Sequence, residues 1–390
     1  MLRGLLSLLV ATTLWLPSIR ILFPIETNDY RQVDKIAPKA KMLAERHLAL
    51  WRDPVLRQKE LRQMQALNPE WDFMSRTYFV LALANMALHD EAYTDIACEI
   101  IDSIIENTLS IEEEKGHEYF LLGYAKRDDW IMNPPRSHFI DGEITMMMAA
   151  RRFIRENQDY KLLMQQRVEI MVARMKKSPV GSAESYPNEC WLFCNTVSLA
   201  AIRMTDALDG SNHSEFTNQW VNTAKEKLSN KATGLLISSY GVDGSPAPTG
   251  RCPEGSSIFM SAHMLEVVDQ KFATQQYQIA KQALAGSFLG FGYAKEWPEA
   301  CVGTPDLDSG PIVPFLQASA ASSGMAILGA AAFNDEVYLK QLLRSLDMMG
   351  FPTEENGQLL YRASNPVGDA VMLYGMVEGP LWDRVMEKLQ

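Results

Sequence analysis

Apolar and polar stretches alternate regularly along this chain, and six times an apolar segment with small or polar residues at its start precedes a more charged segment. The first and last of these starts, near Ser75 and Asn365, span five intervals of about 58 residues, enough for two helices with their loops. Repeats of this size are typical of stacked helical hairpins, none of which buries its apolar face alone. The pattern predicts an all-α fold, an (α/α)6 toroid in which six helical hairpins close a barrel around one cavity.

The same pattern predicts which segments form the two layers of the barrel. The segment 143–153 is apolar around most of its circumference, as expected of an inner helix that is buried on several sides. The predicted inner helices are 75–89, 138–156, 195–209, 256–270, 310–333 and 366–378. The predicted outer helices are 92–109, 159–176, 214–229, 274–288, 335–349 and 381–389. A further charged helix at 34–67 is expected outside the ring, and strand patterns are nearly absent.

The N-terminus has a different character. Residues 4–16 form an uncharged apolar run behind Arg3, and Pro17 and Arg20 interrupt it. The run is short for a full membrane span and long enough for the apolar part of a signal peptide. We expect an uncleaved membrane anchor; a cleaved signal peptide, which would make the protein secreted or luminal, and a buried or interfacial helix stay open. The predicted division is 1–25 as anchor or signal, 26–67 as helical extension and 68–390 as catalytic barrel.

Composition agrees with one large core and excludes some partners. Hydrophobic residues make up 47% of the 390 residues, and the net charge of −11 argues against binding to nucleic acid. Five cysteines, an odd number at wide spacing, predict reduced thiols and no disulfide framework. The cysteines and six histidines show no metal-ligand spacing, so no metal is expected.

Polar clusters at the predicted starts of the inner helices are the candidates for chemistry. Asp72 precedes the first inner helix, where it either caps the helix or presents a carboxylate together with the hydroxyl of Tyr78. Asp141 and Glu143 enter an apolar helix, where the helix dipole stabilises carboxylates. In an apolar cavity, however, burial would raise the pKa of Glu143 and allow it to deliver a proton near neutral pH.

Three further clusters have both structural and chemical interpretations. The segment 185–195 is dense in polar and aromatic residues, and its Cys194 is either a small buried residue or a proton donor and acceptor. The segment 238–255 is a Gly/Pro-rich loop of the kind that carries function on a rigid scaffold. Asp306 and Asp308 form either a metal-binding pair or a turn with a helix cap.

The residues at three of these places resemble the linalool dehydratase/isomerase family. The resemblance rests on 68–78, on 142–160 and on 186–195, and it spans about residues 68–260. It implies an (α/α)6 fold and, for the type enzyme, cofactor-free removal of water from an allylic monoterpene alcohol and its isomerisation by proton transfers.

The resemblance also assigns roles to particular positions. Asp72 and Tyr78 match the family's Asp and Tyr six positions apart, and Cys194 matches its second catalytic Cys. Two positions depart from the family's pattern, because Glu143 stands where the family has His and Ser185 where it has a first Cys. The resemblance therefore implies an altered set of acid and base groups.

We predict a membrane-associated enzyme that dehydrates, isomerises or cyclises a lipophilic, terpenoid-like or other secondary-metabolite substrate without a cofactor. Asp72 and Glu143 are the predicted acid/base pair, and Cys194 assists them. The tyrosines are expected to orient a hydroxyl or to stabilise positive charge with their ring faces. Tyr78 is the fourth predicted catalytic residue. The predicted substrate-contacting residues are Phe139, Ser185, Tyr186, Asn188, Trp191 and Tyr240.

Two other functions stay open at this point. Barrels of this kind often carry paired carboxylates for sugar chemistry, and Trp71, Trp191 and Trp297 are candidate sugar platforms for a glycan hydrolase or lyase. A non-catalytic protein that binds a lipophilic ligand is the other possibility. The sequence also leaves open whether a second copy of the chain completes the cavity.

Overall fold

The computed structural model describes residues 2–247, 252–301, 303, 305 and 309–390. Within these residues the chain forms sixteen α-helices and eight short strands. The helices are α1 (Leu2–Leu22), α2 (Thr27–Tyr30), α3 (Pro38–Arg52), α4 (Pro54–Leu67), α5 (Pro69–His89), α6 (Thr94–Lys115), α7 (His138–Ile154), α8 (Gln158–Met175), α9 (Leu192–Asp209), α10 (Ser214–Lys227), α11 (Gly255–Leu265), α12 (Gln270–Leu284), α13 (Ala320–Ala332), α14 (Glu336–Met349), α15 (Pro366–Val377) and α16 (Pro380–Leu389). The strands are β1 (Cys190–Trp191), β2 (Ser239–Tyr240), β3 (Ala285–Phe288), β4 (Phe291–Lys295), β5 (Ile312–Val313), β6 (Ala318–Ser319), β7 (Pro352–Glu355) and β8 (Gln358–Tyr361).

Six of the helices form a closed inner ring, which confirms the predicted toroid. Helices α5, α7, α9, α11, α13 and α15 contact one another in this order, and α15 returns to contact α5. Helix α7 is buried from His138 to Phe153, as expected for a helix that faces neighbours on all sides. We call the end of the ring that holds the first residues of these six helices the mouth end.

Two inner helices begin six or more residues away from their predicted starts. Helix α5 begins at Pro69 and not at residue 75, because Asn68 accepts a hydrogen bond from the backbone of Glu70 and proline is favoured at the first helical position. Helix α13 begins at Ala320 and not at residue 310, and the Ser319 hydroxyl accepts the bond that caps it. The residues before α13 form two short strands instead.

The strands lie in the connections that lead from an outer to an inner helix. The strands β3, β4, β6 and β5 form an antiparallel sheet in that order, and the pairs β1–β2 and β7–β8 are separate. Each strand has two to five residues, which is too short to leave an alternating pattern in the sequence. The expectation that strands are nearly absent is therefore corrected at the mouth end.

The sixth outer position is filled differently from the prediction. The single helix expected at 34–67 is two helices, since Pro54 ends α3 and Asp53 caps α4. Helix α3 packs beside α15 and α6 in the outer layer. Helix α16, predicted as the sixth outer helix, instead lies across the opposite end of the ring, where the Leu381 amide donates to Asn85 and the Trp382 indole donates to the carbonyl of His263.

One pair of cysteines contradicts the prediction that the thiols are reduced. Cys252 and Cys301 form a disulfide with their Cα atoms 5.6 Å apart. The bond joins the segment before α11 to the segment after β4. The two cysteines are 49 positions apart in the sequence, so no local pattern predicts that they are neighbours. Cys98, Cys190 and Cys194 are free and buried. The Asp306 and Asp308 pair lies outside the described residues.

Helix α1 projects from the barrel with its apolar side chains exposed. It has 21 residues and is long and apolar enough to cross a membrane, and a signal sequence near an N-terminus has the same properties. The chain after α1 returns to the barrel, where Tyr30 is buried and donates a hydrogen bond to Asp347 of α14.

Candidate active site

Glu143 is the centre of a polar cluster inside the ring. It lies in the second turn of α7, and only 1% of its surface is exposed. The Thr77 hydroxyl of α5 donates a 2.6 Å hydrogen bond to its Oε2 atom. Burial raises the pKa of Glu143 to about 8, the Thr77 bond opposes this rise, and the nearby charge of Glu70 adds to it. Glu143 therefore holds a proton at neutral pH.

Helix α5 directs Glu70, and not Asp72, toward this cluster. Residues seven apart on a helix lie within about 20° of each other, so Glu70 and Thr77 share a face, whereas Asp72 lies roughly 160° from Glu70. The Tyr186 hydroxyl donates to Glu70 Oε1 at 2.5 Å and accepts a 2.8 Å bond from the backbone of Leu122. Glu70 is thus a second carboxylate at the cluster.

Asp72 is held in a buried ion pair. Both of its carboxylate oxygens accept hydrogen bonds from the Arg76 guanidinium, at 2.8 Å and 3.3 Å. Arg76 also donates to Asn107 and Thr108 of α6, so the pair connects α5 to the outer layer. The catalytic role of Asp72 stays a prediction, and among the described residues its contacts are those of a structural ion pair.

Cys194 and Tyr78 complete the cluster from two further directions. Cys194 lies in the first turn of α9, and burial raises the pKa of its thiol well above the usual range, against a hydrogen bond with Ser185 that lowers it. Burial also raises the pKa of Tyr78, and the charges of Glu143 and Cys194 add to the rise. The Tyr78 hydroxyl lies 3.9 Å from the sulfur of Met325 on α13. The structure thus brings together Glu143, Tyr78, Cys194 and Ser185.

Tyr240 and Asn188 have mainly structural contacts. The Tyr240 hydroxyl is hydrogen-bonded to Ser182 at 2.9 Å, and its pKa is raised by burial and by the neighbouring thiols of Cys190 and Cys194. Asn188 is exposed and has a φ of 55°, a left-handed conformation in which asparagine is favoured. Tyr240 is thus near the cluster, whereas Asn188 forms a turn.

The remaining predicted residues surround the cluster. Phe139 is buried with its ring edge against Phe73, and the ring centroids are 5.1 Å apart. The Trp191 indole donates to Glu189 at 3.2 Å, and the Tyr124 hydroxyl donates to the same carboxylate. These contacts hold the aromatic rings in place at the start of α9.

Sequence reasoning missed Glu70 and Thr77. The signal that would have revealed them is their spacing of seven residues on a helix that begins at Pro69. With the helix start placed at residue 75, Glu70 fell outside the helix and no face could be assigned to it.

Two surface clefts of the protein lie away from the cluster. A cleft of about 450 Å³ lies between α12 and α14, lined by Lys281 and Tyr338 among others. Another of about 230 Å³ lies at the end opposite the mouth and is lined by Glu266 and Trp382. Glu143 lines neither of these two clefts.

Comparison with known proteins decides the family. The sequence profile described as linalool dehydratase/isomerase matches residues 137–367, more than half of the chain. This chain belongs to the linalool dehydratase/isomerase family. Glu143, Ser185 and Cys194 lie within the matched region, whereas Asp72 and Tyr78 precede it. No curated protein matches the whole sequence significantly.

Solved structures similar to this family member share its barrel. A possible member of the GH105 family from Salmonella enterica subsp. enterica serovar Paratyphi A has a TM-score of 0.51 at 13% identity, with 77% of this chain and 82% of that chain covered. The GH76 alpha-mannanase of Bacteroides thetaiotaomicron has a TM-score of 0.49 at 9% identity, with 80% and 87% covered. A D-mannose isomerase has a TM-score of 0.49 at 12% identity, with 80% and 86% covered. At such low identity the first of these likenesses shows the fold alone.

Gly142 of this family member lets α7 and α9 approach closely beside the cluster. A Cβ atom at this position would lie 2.3 Å from the Ser198 hydroxyl and 3.3 Å from the Ser198 Cα atom. We expect Gly142→Ala to cost about 1–3 kcal/mol of stability and to lower turnover, because it pushes Glu143 away from Cys194. Gly324→Ala is the control, since a Cβ atom there meets no described residue within 4 Å. Thermal unfolding compares the two, and equal stability would contradict the close approach.

Proposed function

We propose that this chain is an acid/base enzyme that dehydrates, isomerises or cyclises a lipophilic, terpenoid-like substrate, and that Glu143 is its general acid. The family supports an isomerase or lyase. The observation that carries the proposal is a buried carboxyl group with a pKa of about 8, held by Thr77 among groups from several inner helices. A carboxyl group in this state can donate a proton at neutral pH without a counter-ion.

Dehydration requires Glu143 to give one proton to the substrate and to take one proton back. Glu143 donates its proton to a hydroxyl of the substrate, the C–O bond breaks, and water leaves with the bonding electron pair. The Glu143 carboxylate then takes a proton from the neighbouring carbon, whose C–H electrons form the double bond. The acid is thereby restored, and the net reaction is the loss of one water molecule. For an isomerisation or ring closure without loss of water, Glu143 instead protonates a carbon–carbon double bond of the substrate. The resulting cation rearranges or closes a ring, and the Glu143 carboxylate takes a proton from a neighbouring carbon, so that no atoms are lost.

The surrounding side chains would stabilise and direct the cation. The ring of Tyr78 lies near Glu143 and offers a negative face to a developing positive charge. Thr77 fixes the carboxyl orientation, and the Ser185–Cys194 pair forms another side of the cluster. Glu70 stabilises positive charge in the cluster, with Tyr186 as its hydrogen-bond donor. In this proposal Asp72 acts only through the packing of α5, and no metal or cofactor takes part.

Glutamate at the position where the family has histidine suits this role. An ordinary histidine with a pKa near 6.5 is mostly neutral at pH 7. The carboxyl group of Glu143, with a pKa of about 8, is mostly protonated there and is also uncharged, which an apolar cavity favours. A carboxyl group at this position thus supplies a proton donor that is itself uncharged before it reacts.

Comparative metabolite profiling tests the proposal directly. Cells that express the chain are compared with cells that lack it and with cells that express Glu143→Gln. We expect one lipophilic precursor to accumulate in both the lacking and the variant cells. A precursor heavier than the product by one water indicates dehydration, and equal masses indicate isomerisation or cyclisation.

The same experiment separates the alternatives. Accumulated oligosaccharides would indicate a glycan enzyme, although Trp71, Trp191 and Trp297 are all partly buried and offer no open sugar platform. Restoration of the normal profile by Glu143→Gln would indicate a binding protein or another catalytic centre. Either result would contradict the assignment of Glu143.

A further inference from the structure

The chain that leaves α1 first contacts the barrel at Phe23. The Phe23 ring packs edge-on against Phe291 of β4, with the ring centroids 6.0 Å apart. The Arg344 side chain of α14 donates to the carbonyl of Phe23 at 3.2 Å and to the carbonyl of Gly290 at 2.6 Å. Helix α1 is thereby tied to the turn between β3 and β4.

This place belongs to the mouth end of the ring. The β3–β4 hairpin lies in the connection from the outer helix α12 to the inner helix α13, and all such connections meet where the inner helices begin. Glu143 lies in the second turn of an inner helix, so it is near the same end. If α1 lies in a membrane, the mouth end is the end that the membrane meets.

Apolar side chains are exposed along this end. Phe288, Phe315 and Phe351 are 51%, 103% and 60% exposed, and among the described residues they are the only exposed phenylalanines. All three lie in outer-to-inner connections, Phe288 at the β3–β4 turn, Phe315 between β5 and β6, and Phe351 just before β7. An exposed aromatic ring at a loop tip is unfavourable in water and favourable at the interface of a lipid bilayer.

Three bulky residues in these loops have a backbone conformation that is unusual for their size. Phe315 and Phe351 have φ values of 68° and 49°, and Leu289, next to Phe288, has 53°. Bulky residues rarely adopt this left-handed conformation, which costs of order 1–3 kcal/mol. Glycine or asparagine would form these turns without strain. We infer that the large apolar side chains are present for a reason other than forming the turns.

Positive charge lies beside the same turn. Arg20 is in the last turn of α1, and its Cδ atom would be 3.4 Å from a Cβ atom at Gly290. Arg20 and Arg344 thus place two guanidinium groups at the level where a membrane-spanning α1 would leave the hydrocarbon layer of the bilayer. Arginines at such a level extend toward phosphate headgroups while their stems remain in apolar surroundings.

We propose that the apolar rim formed by Phe288, Leu289, Phe315 and Phe351 docks on the lipid bilayer that holds α1. The mouth of the barrel then faces the membrane, and a lipophilic substrate passes from the bilayer to Glu143 without crossing water. This route rests on the proposed function, but the docking does not, because α1 and the rim define the contact whatever the substrate is.

Site-specific fluorescence on the full chain tests the docking. The variants F288C and F351C receive an environment-sensitive label and are reconstituted in phosphatidylcholine vesicles that contain some phosphatidylserine. L162C is the matched control, because Leu162 is 60% exposed on α8 at the opposite end of the ring. The unsubstituted chain gives the background of the three buried thiols.

We expect nitroxide-bearing lipid to quench the labels at 288 and 351 and to leave the label at 162 unchanged. Iodide in the water should quench only the label at 162. Quenching of all three labels by iodide would overturn the docking. Protection of 288 and 351 from both quenchers would also overturn it and would place the rim against a second copy of the chain. None of these results depends on turnover, so failure of the docking is distinguishable from failure of the proposed function.

Discussion

Glu143→Gln is expected to lower turnover by a factor of about 10²–10⁴ while the barrel stays folded. Glutamine keeps the size of the side chain and can still contact Thr77, but it has no proton to deliver. The measurement is the turnover of the precursor found by profiling, with thermal unfolding of the same sample. Wild-type turnover in this variant would remove Glu143 from the mechanism.

The pH dependence of activity follows from the same group. Glu143 acts in its protonated form and its pKa is about 8, so the acid-dependent step should slow as the pH rises through 8. Glu118→Gln is the matched control: its carboxylate lies in the α6–α7 connection, accepts a bond from the Trp130 indole and takes no part in the cluster. It should retain both the rate and the pH profile.

Glu143 should make the folded state less stable as the pH rises, whereas a typical ion-paired carboxylate makes it more stable. The pKa of Glu143 rises from 4.5 to about 8 on folding, so between these values the folded state binds more protons than the unfolded state. The free energy of unfolding therefore falls as the pH rises across this window, by as much as roughly 4 kcal/mol. Glu143→Gln should remove this part of the pH dependence and be more stable than the wild type at pH 8.

Asp72→Ala is expected to destabilise the protein by about 3–5 kcal/mol, because it leaves the buried guanidinium of Arg76 without its partner. Arg76 is buried between α5 and α6, and its remaining bonds to Asn107 and Thr108 go to uncharged groups that do not balance its charge. Chemical denaturation measures the loss. Glu70→Gln is the comparison, since it changes a carboxylate on the opposite face of the same helix and should lower turnover with a much smaller loss of stability.

A double variant separates a structural from a catalytic role for Asp72. Asp72→Leu combined with Arg76→Met replaces the ion pair with apolar side chains of similar size, which often restores stability. If Asp72 acts only through packing, the double variant should regain both stability and turnover. A stable but inactive double variant would show that Asp72 is the catalytic acid or base that the sequence suggested.

The burial of Glu143 is a feature that the sequence could predict. Glu143 was identified because a carboxylate inside a continuously apolar helix can have few neighbours other than apolar ones. Its burial and raised pKa follow from that local pattern once α7 is an inner helix. Cys194 was found in the same way, as a polar atom in the first turn of an apolar helix.

The position of Glu70 is a feature that the same reasoning did not predict. Helical periodicity says which residues share a face, so it separates Glu70 from Asp72. It does not say which face meets the cavity, because α6 packing on one side of α5 decides that. The misplaced start of α5 hid the face that Glu70 shares with Thr77.

The sequence by itself determined the six-hairpin ring, its buried Glu143 and the apolar N-terminal segment, because each depends on hydrophobic periodicity or composition within one stretch of chain. Only the tertiary structure decided that Glu70 faces inward, that α3 fills the sixth outer position and that Cys252 meets Cys301. These features depend on which distant segments become neighbours when the ring closes. That choice is made by the packing of the whole core, and no local pattern in the sequence records it.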